Sequence, residues 1–170
     1  MNISEDSKHG IVVSQNVMIP MRDGTRLASD IYRPADVHGD PLPGQFPVIA
    51  GRTSYDKSNP VIWIDPVANA FVPRGYVVLL QDLRGRGLSE GTGDYFHTAN
   101  QKEGIDGYDT IEWAAAQSWS NGRVGMVGAS LAVSFKTWRR CTDRRILPLS
   151  GLTLRLPMHS DGRFDRVVQW

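Results

Sequence analysis

A serine at the end of an apolar strand is the residue of this sequence best suited to covalent chemistry. Residues 124–130, VGMVGAS, consist of glycine and apolar residues up to Ser130. A serine nucleophile needs a tight turn at the carboxyl end of a strand so that its hydroxyl projects into a cleft, and nearby glycines permit that turn. The backbone amide of the next residue, Leu131, can then stabilise a developing oxyanion. The tripeptide alone also fits an ordinary strand-to-loop turn, because Ala132 departs from the pattern Gly-x-Ser-x-Gly.

Two polar loops are expected to border the same cleft. Residues 52–57 (RTSYDK) follow an apolar run at 46–50, and a glycine-rich loop at 82–94 follows another at 76–81. In open sheets of parallel strands, the loops at the carboxyl ends of the strands border the ligand crevice. Both loops are therefore predicted to lie beside Ser130.

The elements that would position these loops follow from apolar spacing. They are predicted, in chain order, as strands at 12–19 and 25–32, a strand at 46–50, a helix at 65–72, a strand at 76–81, a helix at 101–117 and a strand at 123–127. Asp65 would cap the first helix, and Asn121-Gly122 would form a turn. This order predicts an α/β fold with a mostly parallel sheet whose first edge is an antiparallel hairpin.

Composition limits the class of protein. The chain has 170 residues, of which 41% are hydrophobic, and a net charge of +1, which favours one soluble domain over a nucleic-acid or membrane binder. Cys141 is the one cysteine, so an internal disulfide is excluded. The polar first ten residues do not resemble a signal peptide, and a cytoplasmic location is expected.

Charge divides the chain near residue 135. Residues 1–135 carry 11 Lys and Arg against 15 Asp and Glu, whereas residues 136–170 carry 8 against 3. With the polar first ten residues taken as a disordered tail, we expect three parts: the tail at 1–10, a folded portion at 11–130, and a divergent basic tail at 131–170.

Four stretches carry a resemblance to a known family. They are VMIPMRDGTRLASDIYRP, RTSYDK, FVPRGYVVLLQDLRGRGLSEG and DGYDTIEWAAAQSWSNGRVGMVGAS. Residues 12–130 resemble the cocaine esterase and X-Pro dipeptidyl-peptidase family of serine hydrolases, which implies a partial α/β-hydrolase fold. The resemblance implies Ser130 as nucleophile, with the Tyr55 hydroxyl and the Leu131 amide as oxyanion-hole donors. It implies a small ester or peptide substrate and no metal or organic cofactor.

Other polar and aromatic residues have more ordinary interpretations. Asp82, Arg84 and Glu90 are expected to organise their loop, and Trp113 and Trp119 are expected to pack. His97 precedes the serine, whereas this fold orders its triad as serine, acid and histidine, so it is interpreted as a loop residue. The later candidates are in no matching motif and stay unassigned: Asp143, His159, Asp161 and Asp165.

The resemblance stops just after Ser130. The family continues Gly-x-Ser-Tyr-x-Gly, but this chain has Leu131 and Val133 at the tyrosine and second glycine positions. A frameshift in the gene would explain the change: residues 131–133 can be encoded by TTG GCG GTT, which becomes TAT GGC GGT, Tyr-Gly-Gly, when one A is restored. A truly divergent tail is the alternative. In either case the chain would be truncated after the nucleophile turn, without its triad acid and base, and inactive alone.

Two further expectations concern association and alternative functions. The strand at 123–127 would leave an open apolar edge, which favours self-association. The chain could instead be a non-catalytic interaction fragment. A nucleotide-binding domain is disfavoured, because Gly85-Arg-Gly87 lacks the phosphate-binding pattern at a helix start.

Overall fold

A computed structural model describes residues 9–93 and 99–127, which form one mixed sheet with helices. The strands are β1 (Gly10–Pro20), β2 (Arg26–Ala35), β3 (Phe46–Thr53), β4 (Val77–Asp82) and β5 (Ser120–Val127). After β3, a helical segment begins with π-helical turns at Pro60–Ala68, continues as α1 (Asn69–Phe71) and ends as a 3₁₀ turn at Val72–Arg74. Helix α2 (Ala99–Ala115) connects β4 to β5.

The sheet has the strand order β1-β2-β4-β3-β5. The predicted hairpin is confirmed, since β1 pairs antiparallel with β2, and β2 also pairs antiparallel with β4. Strands β4, β3 and β5 are parallel. Within the described residues the sheet is therefore mixed, and the carboxyl ends of three parallel strands meet at one edge.

Strand β4 is covered by apolar residues on both faces of the sheet. Val77 and Leu79 join an apolar cluster that includes Ile111 of α2, whereas Val78 and Leu80 pack on the opposite side with the helical segment. All six residues of β4 are buried. Because alternate side chains of a strand point to opposite faces, a continuous apolar run is what a strand covered on both sides requires.

The first helix begins earlier than its sequence pattern predicted, so the assignment of Asp65 as its cap is wrong. The helical segment starts at Pro60, where the Asn59 Oδ1 accepts a hydrogen bond from the Val61 N–H. Pro66 lies inside the segment. Pro66 has no N–H to donate, and earlier in the segment the Ile64 N–H donates to the Asn59 carbonyl five residues back, which is the π-helical pattern.

Strands β1, β2, β3 and β5 are all longer than predicted, and the residues added to β3 and β5 had been assigned to a loop and a turn. Strand β3 continues through Arg52 and Thr53, which the polarity of the sequence had assigned to a loop. Strand β5 begins at Ser120, and the predicted turn at Asn121-Gly122 is an irregularity within it, with the register shifted between Phe46 and Val48 of β3. Gly122 has a φ of 79°, which explains the turn-like sequence inside a strand.

In the part of the chain that the structure describes, no helix has both the length and the apolar character needed to cross a membrane.

Candidate active site

The carboxyl ends of β3 and β5 lie side by side. In the parallel register Gly51 pairs with Val127, the last described residue of β5. Tyr55 follows the end of β3 by two residues. Ser130 and Leu131 lie outside the described residues. The structure therefore shows the end of β3, which leads to Tyr55, and the end of β5, which leads to Ser130.

Tyr55 is presented at the surface by a short, internally bonded loop. Its side chain is exposed, with 51% of the residue accessible, while its N–H donates to Thr53 Oγ1 over 3.0 Å. Asp56 has a φ of 81°, and its Oδ1 accepts hydrogen bonds from the Ser58 hydroxyl and N–H at 2.6 and 2.9 Å. The hydroxyl and amide of Ser58 lower the pKa of the Asp56 carboxyl. These bonds hold a left-handed turn directly after the tyrosine.

Lys57 returns from this turn into the protein and forms an ion cluster with Asp30 and Asp82. Its ammonium nitrogen lies 3.3 Å from Asp82 Oδ2 and 3.7 Å from Asp30 Oδ1. Its backbone N–H donates to Asp82 Oδ1 over 2.9 Å. The Leu88 N–H donates to the same carboxylate, at Oδ2 over 3.2 Å. Asp82 thus links the loops after β3 and β4.

Arg84 connects the glycine-rich loop to α2 and to the hairpin. Its Nε and one terminal nitrogen bind both carboxylate oxygens of Asp106 at 2.9 and 2.7 Å. The other terminal nitrogen donates to Thr25 Oγ1 at 2.6 Å and lies 2.9 Å from Asp23 Oδ2. Hydrogen bonding to Asp106 raises the pKa of the Arg84 guanidinium. The contacts predicted for Arg84 as a loop-organising residue are present.

Asp82 and Glu90 make similar loop contacts. The Ser89 hydroxyl donates to the Asp82 carbonyl over 2.7 Å and accepts the Ala28 N–H over 2.9 Å. Glu90 accepts bonds from the Arg26 Nε and N–H, each at 3.0 Å. The pKa of Glu90 is lowered, chiefly by the Arg26 side chain. These residues join the loop to β2, as predicted.

Asp23 supplies a pH-dependent contact to this arrangement. The hydrogen bond from Arg84, followed by that from the Thr25 N–H, lowers the pKa of Asp23 from 3.8 to about 2. A depressed folded-state pKa means that the ionised carboxylate stabilises the fold above about pH 4 and that this contribution is lost as the pH falls toward 2. We expect Asp23→Asn to lose less stability than the wild type over that interval, as measured by urea unfolding midpoints. Parallel curves for the two proteins would contradict this assignment.

A second buried polar network was missed by sequence analysis. Arg52 Nε donates to Gln81 Oε1 over 2.7 Å, and one terminal nitrogen donates to the Glu103 carbonyl over 2.8 Å and lies 3.3 Å from its carboxylate. Burial lowers the pKa of Arg52 and raises that of Glu103, although the guanidinium stays protonated at neutral pH. Gln81 also donates to the Ser29 hydroxyl over 3.2 Å. The signal that could have revealed this network is the continuation of β3 through Arg52. The polarity of Arg52 instead favoured a loop at that position.

The remaining predicted residues divide by whether the structure describes them. Trp113 and Trp119 pack edge to face, with ring centroids 6.3 Å apart, against the apolar cluster beside α2, which confirms their packing role. The other candidates lie outside the described residues: His97, Asp143, His159, Asp161 and Asp165. Over 9–93 and 99–127, no three His, Cys, Asp or Glu side chains converge as metal ligands would.

Comparisons with known proteins show that the chain is similar to hydrolases. The family described as X-Pro dipeptidyl-peptidase (S15 family) matches residues 23–134. Cocaine esterase from Rhodococcus sp. (strain MB1 Bresler) is 42% identical over 121 residues, which are 69% of this chain and 19% of that protein. The chain thus spans about a fifth of the length of the curated relatives it matches.

Solved structures show the same similarity. A CocE/NonD family hydrolase from Staphylococcus aureus superposes with a TM-score of 0.60 at 32% identity, over 72% of this chain and 23% of that chain. An α-amino acid ester hydrolase superposes with a TM-score of 0.58 at 30% identity, over 78% of this chain and 23% of that chain. The mixed sheet described above is therefore part of an α/β-hydrolase fold.

Proposed function

The chain belongs to the X-Pro dipeptidyl-peptidase (S15) family, and on that premise we propose that the complete family member, of which this chain is a part, hydrolyses esters or X-Pro peptides by acyl transfer to Ser130. The proposal is supported chiefly by the exposed Tyr55 at the end of β3, beside the strand that leads to Ser130. Neighbouring strands are about 4.8 Å apart, and three residues span at most about 10 Å. A serine three residues beyond Val127 is within reach of a tyrosine four residues beyond Gly51.

Each residue has a defined step in the proposed reaction. The Ser130 oxygen attacks the substrate carbonyl carbon, and the Ser130 proton passes to a general base. The negative charge on the tetrahedral oxygen is stabilised by the Tyr55 hydroxyl and the Leu131 N–H. Collapse expels the alcohol or amine with a proton, and water then releases the acid from the acyl-enzyme.

The base and its orienting acid are not assigned to any residue of the printed sequence. We propose that a frameshift just after Ser130 accounts for the arginine-rich residues 131–170, and that the 170-residue chain by itself turns over little substrate. The nucleotide sequence of the gene and of close relatives tests this directly. A gene with no lost base, or a stop codon soon after in the other frame, would exclude the frameshift.

We use the term frame-restored protein for the product of the gene with the lost base put back at codon 131. With the codons TTG GCG GTT at 131–133, one restored adenine gives Tyr-Gly-Gly. This protein is expected to hydrolyse p-nitrophenyl esters and to react with a fluorophosphonate probe. The same protein without serine-dependent hydrolysis would overturn the proposed function. Labelling without turnover would place the activated serine correctly but refute ester hydrolysis.

Removing the Tyr55 hydroxyl tests the oxyanion role. Tyr55→Phe in the frame-restored protein is expected to lower kcat about 100- to 1000-fold, the usual effect of losing one oxyanion-hole donor. The matched control is Tyr76→Phe. Tyr76 precedes β4, at the edge of the sheet opposite to the carboxyl ends of the parallel strands, and its ring packs on Phe71. Equal activity of the two variants would remove Tyr55 from the mechanism.

A further inference from the structure

We propose that Lys57 is a positioning residue for Tyr55, and that its ion cluster with Asp30 and Asp82 fixes the oxyanion-hole loop. The inference rests on the proposed function and assigns to that site a residue that touches neither substrate nor reacting atoms. Lys57 is two residues from Tyr55, and its side chain is only 4% exposed. A lysine this deeply buried beside an exposed loop needs a reason, because desolvating its charge is costly.

The ammonium group has two carboxylate partners, and both partners are themselves held in place. Asp82 is the last residue of β4 and pairs with Thr53 in the parallel register. Its carboxylate also fits against Gly87, whose φ is 49° and where an added β-carbon would overlap the carboxylate. Asp30 lies in β2, and its Oδ1 accepts the Asn16 N–H over 2.8 Å. Lys57 therefore joins the loop to two strands of the sheet.

Tyr55 is fixed on both sides as a result. Before it, Thr53 belongs to β3 and accepts the Tyr55 N–H. After it, the left-handed Asp56 reverses the chain so that Lys57 points inward while Tyr55 stays exposed. Only three residues lie between the anchors at Thr53 and Lys57, which leaves the phenol little room to shift. An oxyanion donor must be placed to within a fraction of an ångström, so such anchoring acts on the transition state.

A gain in stability explains the ion cluster of Lys57, Asp30 and Asp82 less well than positioning of the loop does. A buried ion group can often be replaced by apolar residues without loss of stability, whereas its directed contacts fix one arrangement of the chain. The Lys57 backbone N–H and ammonium contact different oxygens of the same Asp82 carboxylate. Loss of the ammonium leaves the backbone contact but removes the link to Asp30.

Hydrogen–deuterium exchange on the 170-residue chain tests the anchoring without any activity. Lys57→Met is expected to speed exchange of the amides at 54–58 at least tenfold relative to the wild type, and by more than any change in β2 and β4, whose carboxylates lose the same cation. Asp30→Asn, a milder change that keeps an oxygen for Asn16, is expected to have a smaller effect in the same direction. Loop exchange that is unaltered in both variants would overturn the proposal.

A kinetic double-mutant cycle in the frame-restored protein tests action through Tyr55. Lys57→Met, or Asp30→Asn if the first does not fold, is expected to lower kcat about 10- to 100-fold with KM changed less than about twofold. In the Tyr55→Phe background the same change is expected to lower kcat less than about twofold. Lys57→Arg, which keeps the charge, is expected to recover part of the lost kcat.

The control separates positioning from general loss of structure. Thr110→Val removes a buried hydroxyl whose hydrogen-bond partners are Gln81 at 2.9 Å and the Asp106 carbonyl rather than residues 54–58, and it is expected to have the same effect in both backgrounds. Equal losses from Lys57→Met in both backgrounds would overturn the positioning role while leaving the proposed function intact. A Tyr55→Phe variant with full activity would instead overturn the oxyanion role, and with it this inference.

Discussion

Replacing Ser130 by alanine is expected to lower ester hydrolysis by the frame-restored protein about 10⁴- to 10⁶-fold, the largest effect of any substitution considered. Loss of the nucleophile removes the covalent intermediate, and the remaining groups can then only assist attack by water. Oxyanion-hole donors and substrate binding would leave a small residual rate over the uncatalysed reaction. The measurement is kcat with a p-nitrophenyl ester, together with loss of fluorophosphonate labelling.

Ser54→Ala is the matched control for that experiment. Ser54 follows β3 on the same edge of the sheet, and its buried hydroxyl has no hydrogen-bond partner within the described portion of the chain. Its removal should therefore leave hydrolysis and labelling close to those of the parent. Comparable losses at Ser54 and Ser130 would indicate general disruption of this edge and would contradict nucleophilic catalysis by Ser130.

The 170-residue chain, without the restored reading frame, provides a second test of the same proposal. We expect it to show no ester turnover above that of its own Ser130→Ala variant, because a serine without a general base is a weak nucleophile. Serine-dependent turnover by this chain would show that residues 131–170 supply a base, and would contradict the frameshift proposal.

Arg84→Met is expected to cause the largest loss of stability, about 3–5 kcal/mol. The Arg84 and Asp106 side chains are 7% and 1% exposed, so the substitution leaves a buried carboxylate without its cation. It also releases Asp23 and Thr25 of the hairpin turn. The free energy of unfolding can be measured by urea denaturation at low protein concentration with tryptophan fluorescence.

Arg26→Met provides the comparison for Arg84. Arg26 and Glu90 form an ion pair of 2.5 Å, but their side chains are 57% and 39% exposed. Exposed pairs contribute at most about 1 kcal/mol, and the backbone bond from Arg26 to Glu90 survives the substitution. Equal losses of stability for the two variants would show that burial of the Arg84 pair has no special consequence.

Local sequence patterns were sufficient for most of the elements. Alternation in β1 and β2 predicted the hairpin, and the apolar run of β4 predicted a strand covered on both faces. The Gly-Ala-Ser130 ending and the loop with Tyr55 indicated a candidate site, in which the roles of Ser130 and Tyr55 stay predictions. These signals are local, because backbone periodicity and turn chemistry depend on neighbouring residues.

The buried charges were decided only by the tertiary structure. Lys57, Arg52 and Arg84 lie in polar runs that sequence analysis assigned to loops, yet all three are buried. A charge can be buried only beside its partners, and those of Lys57 are 27 and 25 residues away in the chain, at Asp30 and Asp82. Polarity at a single position therefore says nothing of burial until the strand order is known.

What the sequence by itself determined is thus the type and order of the elements, the family they belong to and the residues that could do chemistry. The tertiary structure decided that β4 lies between β2 and β3, which brings Asp30, Lys57 and Asp82 together. Strand order is set by how apolar faces and distant charged partners are satisfied at the same time, and no local pattern contains that information.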